Sequence, residues 1–367
     1  MKERDVLIWL SSLSKIGCKD MYNICNNIRN LSLLWEMPVN DFKRIKCINN
    51  KLKEEILIKR NKTYFENFIE RNKKFNVNII TILDNTYPDL LKKISMPPKV
   101  LFIKGNLILK QKPTIGIVGS RKATEYGKFQ SKKFAEELSK LGISIVSGMA
   151  KGIDTSAHIG ALQGRGKTIA VLGSGVDIIY PKCNNKLYDK IVENGTILSE
   201  FPLGTQPIAK NFPKRNRIIS GLSLGVLVIE AALRSGTLIT VNYALDQGRE
   251  VFSLPGNVNS INSKGTNKLI KDGAKLTTNI FDVIEEINAL KERYNIATKK
   301  KINSNTLSKK ELKVINCIIN GPIQYDMISY NTGININELC SIIKILKLKG
   351  LIKETNGKIF SLKMDYI

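Results

Sequence analysis

Three glycine-rich turns, each following a short β-branched run, are where the residue types and spacing of this chain could do chemistry. The first is Ile115-Gly116-Ile117-Val118-Gly119-Ser120-Arg121, the second Ser147-Gly148-Met149-Ala150-Lys151-Gly152, and the third Leu172-Gly173-Ser174-Gly175. Gly116, Gly119, Gly148, Gly173 and Gly175 would let backbone N–H groups approach an anion that a Cβ would hold off. Ser120 adds a hydroxyl, Arg121 a planar two-pronged donor and Lys151 a point charge. The competing explanation for each turn is a strand-to-helix corner that needs glycine only for packing.

A fourth group, Phe212-Pro213-Lys214-Arg215-Asn216-Arg217, sets three cations and an amide beside an aromatic ring. On single-stranded nucleic acid, Lys214, Arg215, Asn216 and Arg217 would hold phosphates and Phe212 would offer a stacking face. As a helix start, the same residues would be a solvated basic turn.

Other chemistries find little support. His158 is the only histidine, so any nucleophilic triad would depend on it; it reads instead as a packing or capping residue of a helix that begins near Asp154. The first turn lacks the third glycine of a dinucleotide fingerprint, and no acidic residue ends the next strand to hold a ribose. Neither a GxxxxGK[ST] loop nor a metal-carboxylate cluster is present, which removes the usual signatures of helicases and nucleases. No cofactor is expected.

Composition points to a polyanionic partner. Lys and Arg number 58 against 32 Asp and Glu, a net charge of +26, and the excess is spread along the chain rather than confined to a tail. Only 12 residues are Arg, yet 6 of them (Arg121, Arg165, Arg215, Arg217, Arg234 and Arg249) fall within 113–256 beside only 12 Lys, so these mark places where a guanidinium fork matters. No apolar run is long enough to span a bilayer and the start MKERDVLIWL lacks a signal-peptide core. The six cysteines form no CxxC pair, and a cytoplasmic protein with neither zinc site nor disulfides is expected.

The elements that must position these residues follow from periodicity. Residues 1–72 read as short helices with apolar faces at Val6, Leu7, Trp9, Leu10 and Leu13, at Met21, Ile24, Cys25 and Ile28, and from Phe42, Ile45 and Ile48 into Leu52, Ile56 and Ile58. This suggests a domain of the helix-hairpin-helix or sterile-alpha-motif type, although the hairpin Cys47–Lys51 has no glycine. Across 77–290, strands and helices alternate, ending in a helix Phe281–Leu290, which implies an α/β, doubly wound, mainly parallel sheet. Residues 291–305 are polar and Lys-rich and read as a linker. Residues 306–367 give three amphipathic segments and a hairpin turning at Asn356-Gly357, the order of a winged helix.

In sequence order, GIVGSR, SGMAKGIDTSAH, TIAVLGSGVDIIYP, SEFPLG, FPKRNRIISGLS, IEAALRSGTLIT and GREVFSLPG resemble the DNA-processing protein A family (DprA/Smf) over about residues 77–285. The resemblance implies an extended Rossmann-like central domain that self-associates as a homodimer. It also implies a mediator that binds single-stranded DNA, helps load the RecA recombinase and acts in natural transformation. Its DNA contacts would fall on Arg121 and on the basic surface near Lys182 and Lys214–Arg217.

The rival is a phosphoribohydrolase-like enzyme, since Ser235-Gly236-Thr237-Leu238-Ile239-Thr240 approximates the GGxGTxxE motif of that group. Thr240 stands at the glutamate position, and a threonine cannot supply the carboxylate that glycosidic chemistry requires. No catalytic residue is therefore expected.

Overall fold

In a computed structural model of the chain, which describes residues 1–106, 112–294, 307–319, 321–355 and 358–362, the first apolar periodicities fold as six helices. These are α1 (Glu3–Ser11), α2 (Cys18–Asn27), α3 (Leu33–Glu36), α4 (Val39–Arg44), α5 (Asn50–Lys59) and α6 (Lys62–Lys74). Val6, Leu7, Trp9, Leu10 and Leu13 are buried, and the rings of Trp9 and Trp35 meet edge-on with centroids 4.9 Å apart. Ile58 departs from the expected face: it is 79% exposed, because two residues along a helix from Ile56 is the opposite side. The hairpin before α5 ends in a cap, the Asn49 side chain accepting from the Leu52 N–H at 2.9 Å.

The alternating region begins with β1 (Asn78–Thr81), α7 (Asp89–Lys92), β2 (Val100–Gly105), β3 (Thr114–Val118), α8 (Glu125–Lys140), β4 (Ser144–Ser147), α9 (Ile153–Gln163) and β5 (Thr168–Leu172). It continues through α10 (Asn185–Asn194), β6 (Thr196–Ser199), α11 (Asn211–Leu222), β7 (Gly225–Val228), α12 (Thr237–Asp246), β8 (Glu250–Ser253), α13 (Ile261–Lys271), β9 (Lys275–Leu276) and α14 (Ile280–Glu286). The nine strands form one sheet in the order β1-β2-β6-β5-β4-β3-β7-β8-β9. From β6 to β9 every neighbouring pair is parallel; β2 runs antiparallel to β6, and β1 to β2. The β-branched runs become strands that are buried along their whole length in β3, β4, β5, β6 and β7, as a sheet covered on both faces requires.

One apolar core joins the helices at the start of the chain to this sheet. Val6, Trp9, Ile24 and Leu52 share a cluster with Phe102, Ala170, Leu172 and Ile197, and Phe68 packs edge-on against Phe102 with centroids 6.2 Å apart. The first compact unit accordingly runs from Met1 to Ile287. The helix expected over 281–290 is two helices, because Ile287 leaves the helical basin at φ −94°, ψ 107°.

The second unit runs from Asn288 to Ile367. It contains α15 (Asn288–Tyr294), α16 (Lys309–Ile318), β10 (Ile323–Gln324), α17 (Tyr325–Thr332), α18 (Ile336–Leu348), β11 (Ile352–Thr355) and β12 (Ile359–Leu362). The strands form an antiparallel sheet in the order β10-β12-β11, over a core that includes Val314, Leu339, Ile343, Leu346 and Phe360. Ser308 and Glu311 close a reciprocal capping box on α16, and Lys347 pairs with Glu354 at 2.6 Å. Of the linker expected at 291–305, the first four residues lie in α15; residues 295–305, and the turn at Asn356-Gly357, lie outside the described residues.

Candidate nucleic-acid interface

The order of the sheet reverses between β3 and β7, the place where open α/β sheets take ligands beyond the ends of their strands. Here that crevice is filled from within. The Ser120 N–H donates to the Glu230 carbonyl at 2.8 Å, and the Glu230 carboxylate accepts from the Thr124 N–H at 2.9 Å and from the Thr124 hydroxyl. Thr124 caps α8, so a protein carboxylate occupies the helix N-terminus at which a phosphate would sit. Gly116 lies inside β3, bonded into both neighbouring strands, and serves the sheet rather than a cradle. Gly119 packs against Ile153, and the Ser120 hydroxyl accepts from the Lys122 N–H.

The second turn holds another internal anion. The Gly148 and Ala150 N–H groups point at Asp154 Oδ2, at 3.2 and 3.3 Å, and Asp154 and Arg215 are both buried. A Cβ on Gly148 would collide with the Arg215 guanidinium and the Asp154 carboxylate, which is why glycine stands there. Burial pushes the Asp154 carboxyl up, and the Arg215 charge and the two N–H groups pull it back; burial brings Arg215 down to about 10. His158 is fully buried in α9 with Nδ1 2.7 Å from the Thr168 hydroxyl. Because that hydroxyl donates to the Ile145 carbonyl, Nδ1 carries the proton. Burial, and then Arg215, hold the imidazole down at about 3, so it is a neutral packing residue.

At the third turn the Gly175 N–H donates to the Thr205 carbonyl at 2.9 Å, and Gly173 lies against the Phe212 ring, with no room for a Cβ. Phe212 is half-buried and is the hub of the surface. Arg121 Cζ lies 5.2 Å from its centroid and Arg215 Cζ 5.9 Å. The Tyr180 ring, 45% exposed, lies 5.6 Å away.

All three turns therefore spend backbone donors on the protein itself, and what faces solvent is side chains. Arg121, Lys151, Lys182 and Lys214 are exposed, as are Lys122 and Lys210, and Asn216 is half-buried. The backbone at Gly152 passes against the Ser120 and Arg121 carbonyls, which ties the Lys151 turn to the Arg121 turn. Asn184 donates to the Met149 carbonyl and the Thr155 hydroxyl, each at 2.9 Å, tying the Lys182 turn to the second turn. The basic run 214–217 is not a uniformly exposed patch: Lys214 faces out, whereas Arg215 and Arg217 are each only 3% exposed. Arg215 donates to the Val171 carbonyl, and Arg217 grips both oxygens of Glu200 at 2.6 Å. Of the expected phosphate ligands, these two guanidiniums are turned away from solvent. Sequence pattern alone does not mark Tyr180, Glu230 and Asn184 as site residues; Tyr180, directly before Pro181 and Lys182, carries the clearest signal of the three.

Residues 78–288 match the model of the family described as DNA recombination-mediator protein A. The chain belongs to that family. DNA processing protein DprA of Streptococcus pneumoniae is 48% identical over 206 residues, 56% of this chain and 73% of its own. Protein Smf of Synechocystis is 37% identical over 296 residues, 79% and 74% of the two chains. Among solved structures, the Streptococcus pneumoniae DprA superposes with a TM-score of 0.70 at 38% identity, over 78% of this chain and 99% of that one. The DNA processing protein A of Helicobacter pylori, solved for its single-stranded DNA binding mode, matches with a TM-score of 0.52 at 34% identity, over 59% and 96%. Membership in the recombination-mediator family thus rests on the whole sheet, with the Arg121, Gly148 and Phe212 segments inside the matched span. Among the described residues no helix is long and apolar enough to cross a membrane.

Proposed function

We propose that this protein binds single-stranded DNA without sequence preference, in the cytoplasm, and mediates recombination by helping to load RecA on that strand, including during natural transformation. The observation that carries this reading is the exposed Arg121–Phe212–Tyr180 cluster, a cation and two rings within 5.2 and 5.6 Å, flanked by Lys151, Lys182 and Lys214. Stacking surfaces interleaved with cations suit an unpaired strand, whose bases are free to stack and whose phosphates seek charge. The Helicobacter pylori relative, solved for its single-stranded DNA binding mode, supports the choice of ligand. Phosphates are held by side chains in this reading, since Glu230 and Asp154 already occupy the backbone donors.

The same internal carboxylates support a non-enzymatic role. A nucleotide enzyme would keep the switch-point crevice open, whereas Glu230 is bonded to Thr124 across it, and Thr240, at the glutamate position of the phosphoribohydrolase motif, is buried in α12. We also propose that the protein acts as a homodimer, and that residues 1–72, 77–290 and 306–367 form a helical domain, an extended Rossmann-like domain and a winged-helix domain.

Titration of labelled single- and double-stranded oligonucleotides at two salt concentrations tests the reading. Preference for the single strand is expected, with log K falling by about 0.7 per phosphate contacted for each unit of log salt. Equal affinity for duplex, or a flat salt response, overturns it. RecA filament nucleation on a protein-coated strand, followed with and without this protein, tests the mediator step separately.

A further inference from the structure

A cleft of about 740 Å³ lies between α9 and α10. One end, at Thr155 and Asn184, is the back of the Met149 turn to which Asn184 is bonded. The other end, at Arg165, Lys167 and Glu193, lies where β5 begins, so the cleft runs the length of α10 away from the Arg121–Phe212 face. Its floor is aliphatic, from Ile159, Leu162 and Leu187.

Its rim is basic. Arg165, Lys167, Lys186 and Lys190 line it against the single carboxylate of Glu193, and none of the four cations is in an ion pair among the described residues. Lys186 and Lys190 are one helical turn apart in α10, a rise of about 6 Å, and Lys182 lies in the 3-10 turn that precedes the helix. Two lysines thus stand along the cleft about one helical turn apart, with the exposed Lys182 preceding them in the chain. Arg165 adds a second sign: it is held at φ +55°, left-handed backbone that favours glycine, yet it presents an exposed guanidinium. That conformation is the turn that ends α9, the Arg165 N–H donating to the Leu162 carbonyl at 3.1 Å, and it sets the guanidinium at the mouth of the cleft.

We propose that the α9–α10 cleft is a second stretch of the single-stranded DNA path. It takes the nucleotides that leave the Arg121–Phe212–Tyr180 cluster, with phosphates on Lys186, Lys190, Arg165 and Lys167 and bases against Ile159, Leu162 and Leu187. The inference rests on the single-strand reading of the neighbouring face.

The test compares the full-length protein with Arg121→Ala, with the double variant Lys186→Glu/Lys190→Glu and with Arg165→Gly. Binding of labelled oligothymidines of about 6 and about 30 nucleotides, within and well beyond the span of one binding module, is read by anisotropy. The cleft variants should bind the long strand about tenfold more weakly and lower the salt slope by about 0.7 for each phosphate no longer neutralised, while binding the short strand like the parent. Arg165→Gly should do so without loss of melting temperature, since glycine suits its backbone. Alkylation of Cys183, an exposed thiol lining the cleft, should be slowed by the long strand and not by the short one. If Arg121→Ala weakens binding but the cleft variants match the parent at both lengths and Cys183 stays reactive, the cleft proposal is overturned and the reading of the exposed face stands; a cleft serving an acidic peptide instead would give that result. If Arg121→Ala changes nothing either, the single-strand reading itself has failed.

Discussion

Arg121, in the turn after β3, and Phe212, near the start of α11, lie far apart in sequence, yet the guanidinium carbon of one lies 5.2 Å from the ring centroid of the other. The ring is seated on Gly173 from below and flanked by Tyr180. A half-buried ring fixed on three sides keeps a stacking surface in place before any ligand arrives, and the arginine above it keeps its charge at the edge of that surface.

Arg121→Ala should therefore weaken single-strand binding by about 1–3 kcal/mol, the range for a charge-assisted contact. Arg121 is exposed, so thermal unfolding should be almost unchanged. A clear drop in melting temperature with affinity retained would make Arg121 a structural residue. Anisotropy and thermal denaturation on one preparation decide between the two.

Arg217 should behave in the opposite way. Its side chain is 4% exposed and that of its partner Glu200 is 13% exposed, so removing either leaves a charge buried without its counterion. Glu200→Ala or Arg217→Ala is expected to cost about 3–5 kcal/mol of stability, with DNA affinity retained by the folded fraction. Urea unfolding measures the first quantity and titration below the unfolding midpoint the second. Loss of binding from a fully stable Arg217→Ala protein would return this residue to the DNA surface.

The contrast between these arginines marks how far the sequence could be read. The order of strands and helices was legible because fully buried strands are β-branched runs and the turns between them carry glycine. The inward position of Arg215 was signalled, against its expected place on a phosphate: Asn211, Arg215, Ile218 and Leu222 recur at helical spacing and all are buried in α11. Arg217 was not, since its burial depends on Glu200, supplied by the turn after β6. The glycine turns were found as turns, but the carboxylates that fill two of them arrive from positions 154 and 230, and only the fold brings Glu230 onto Thr124. For the same reason the antiparallel β1 and β2 could be recognised as strands without their direction being evident.

Acid should destabilise the protein through its single histidine. The His158 imidazole is held down at about 3 in the fold, against about 6.5 in an unfolded chain. The neutral ring therefore contributes stability that is fully present above pH 6.5 and is lost as the pH falls from there towards 3, by up to about 1.4 kcal/mol per pH unit. His158→Gln should flatten the stability profile between about pH 6.5 and pH 5, leaving only the carboxylate-driven loss below that range. Denaturant midpoints at three pH values are enough, and an unchanged slope in the variant would show that His158 is not the group that titrates.

Removing residues 295–367 should leave a folded protein that still binds single strands, since the unit Met1–Ile287 has its own core and contains every residue of the exposed cluster. Insoluble truncated protein would contradict that independence. A soluble, folded truncation that no longer binds would place the main DNA contacts in the winged helix.

The arrangement around Phe212 sets apart two kinds of coupling. Arg121 touches the ring from the solvent side, whereas Arg215 lies 5.9 Å from it and is buried, bonded to the Val171 carbonyl and facing Asp154 across Gly148. Arg215→Ala should first lower stability, by about 3–5 kcal/mol, because Asp154 is left buried without its compensating charge. Its effect on affinity, measured where the variant is folded, should come only from looser seating of Phe212. In a double-mutant cycle, Arg121→Ala and Phe212→Ala should therefore be strongly non-additive, since the ring and the guanidinium act as one surface, with a coupling of about 0.5–3 kcal/mol. Arg121→Ala and Lys214→Ala, both exposed contacts, should be nearer to additive. If instead Arg121 and Phe212 prove additive while Arg215→Ala removes binding from a fully stable protein, the phosphates are held by the buried guanidinium and the strand enters beneath the ring.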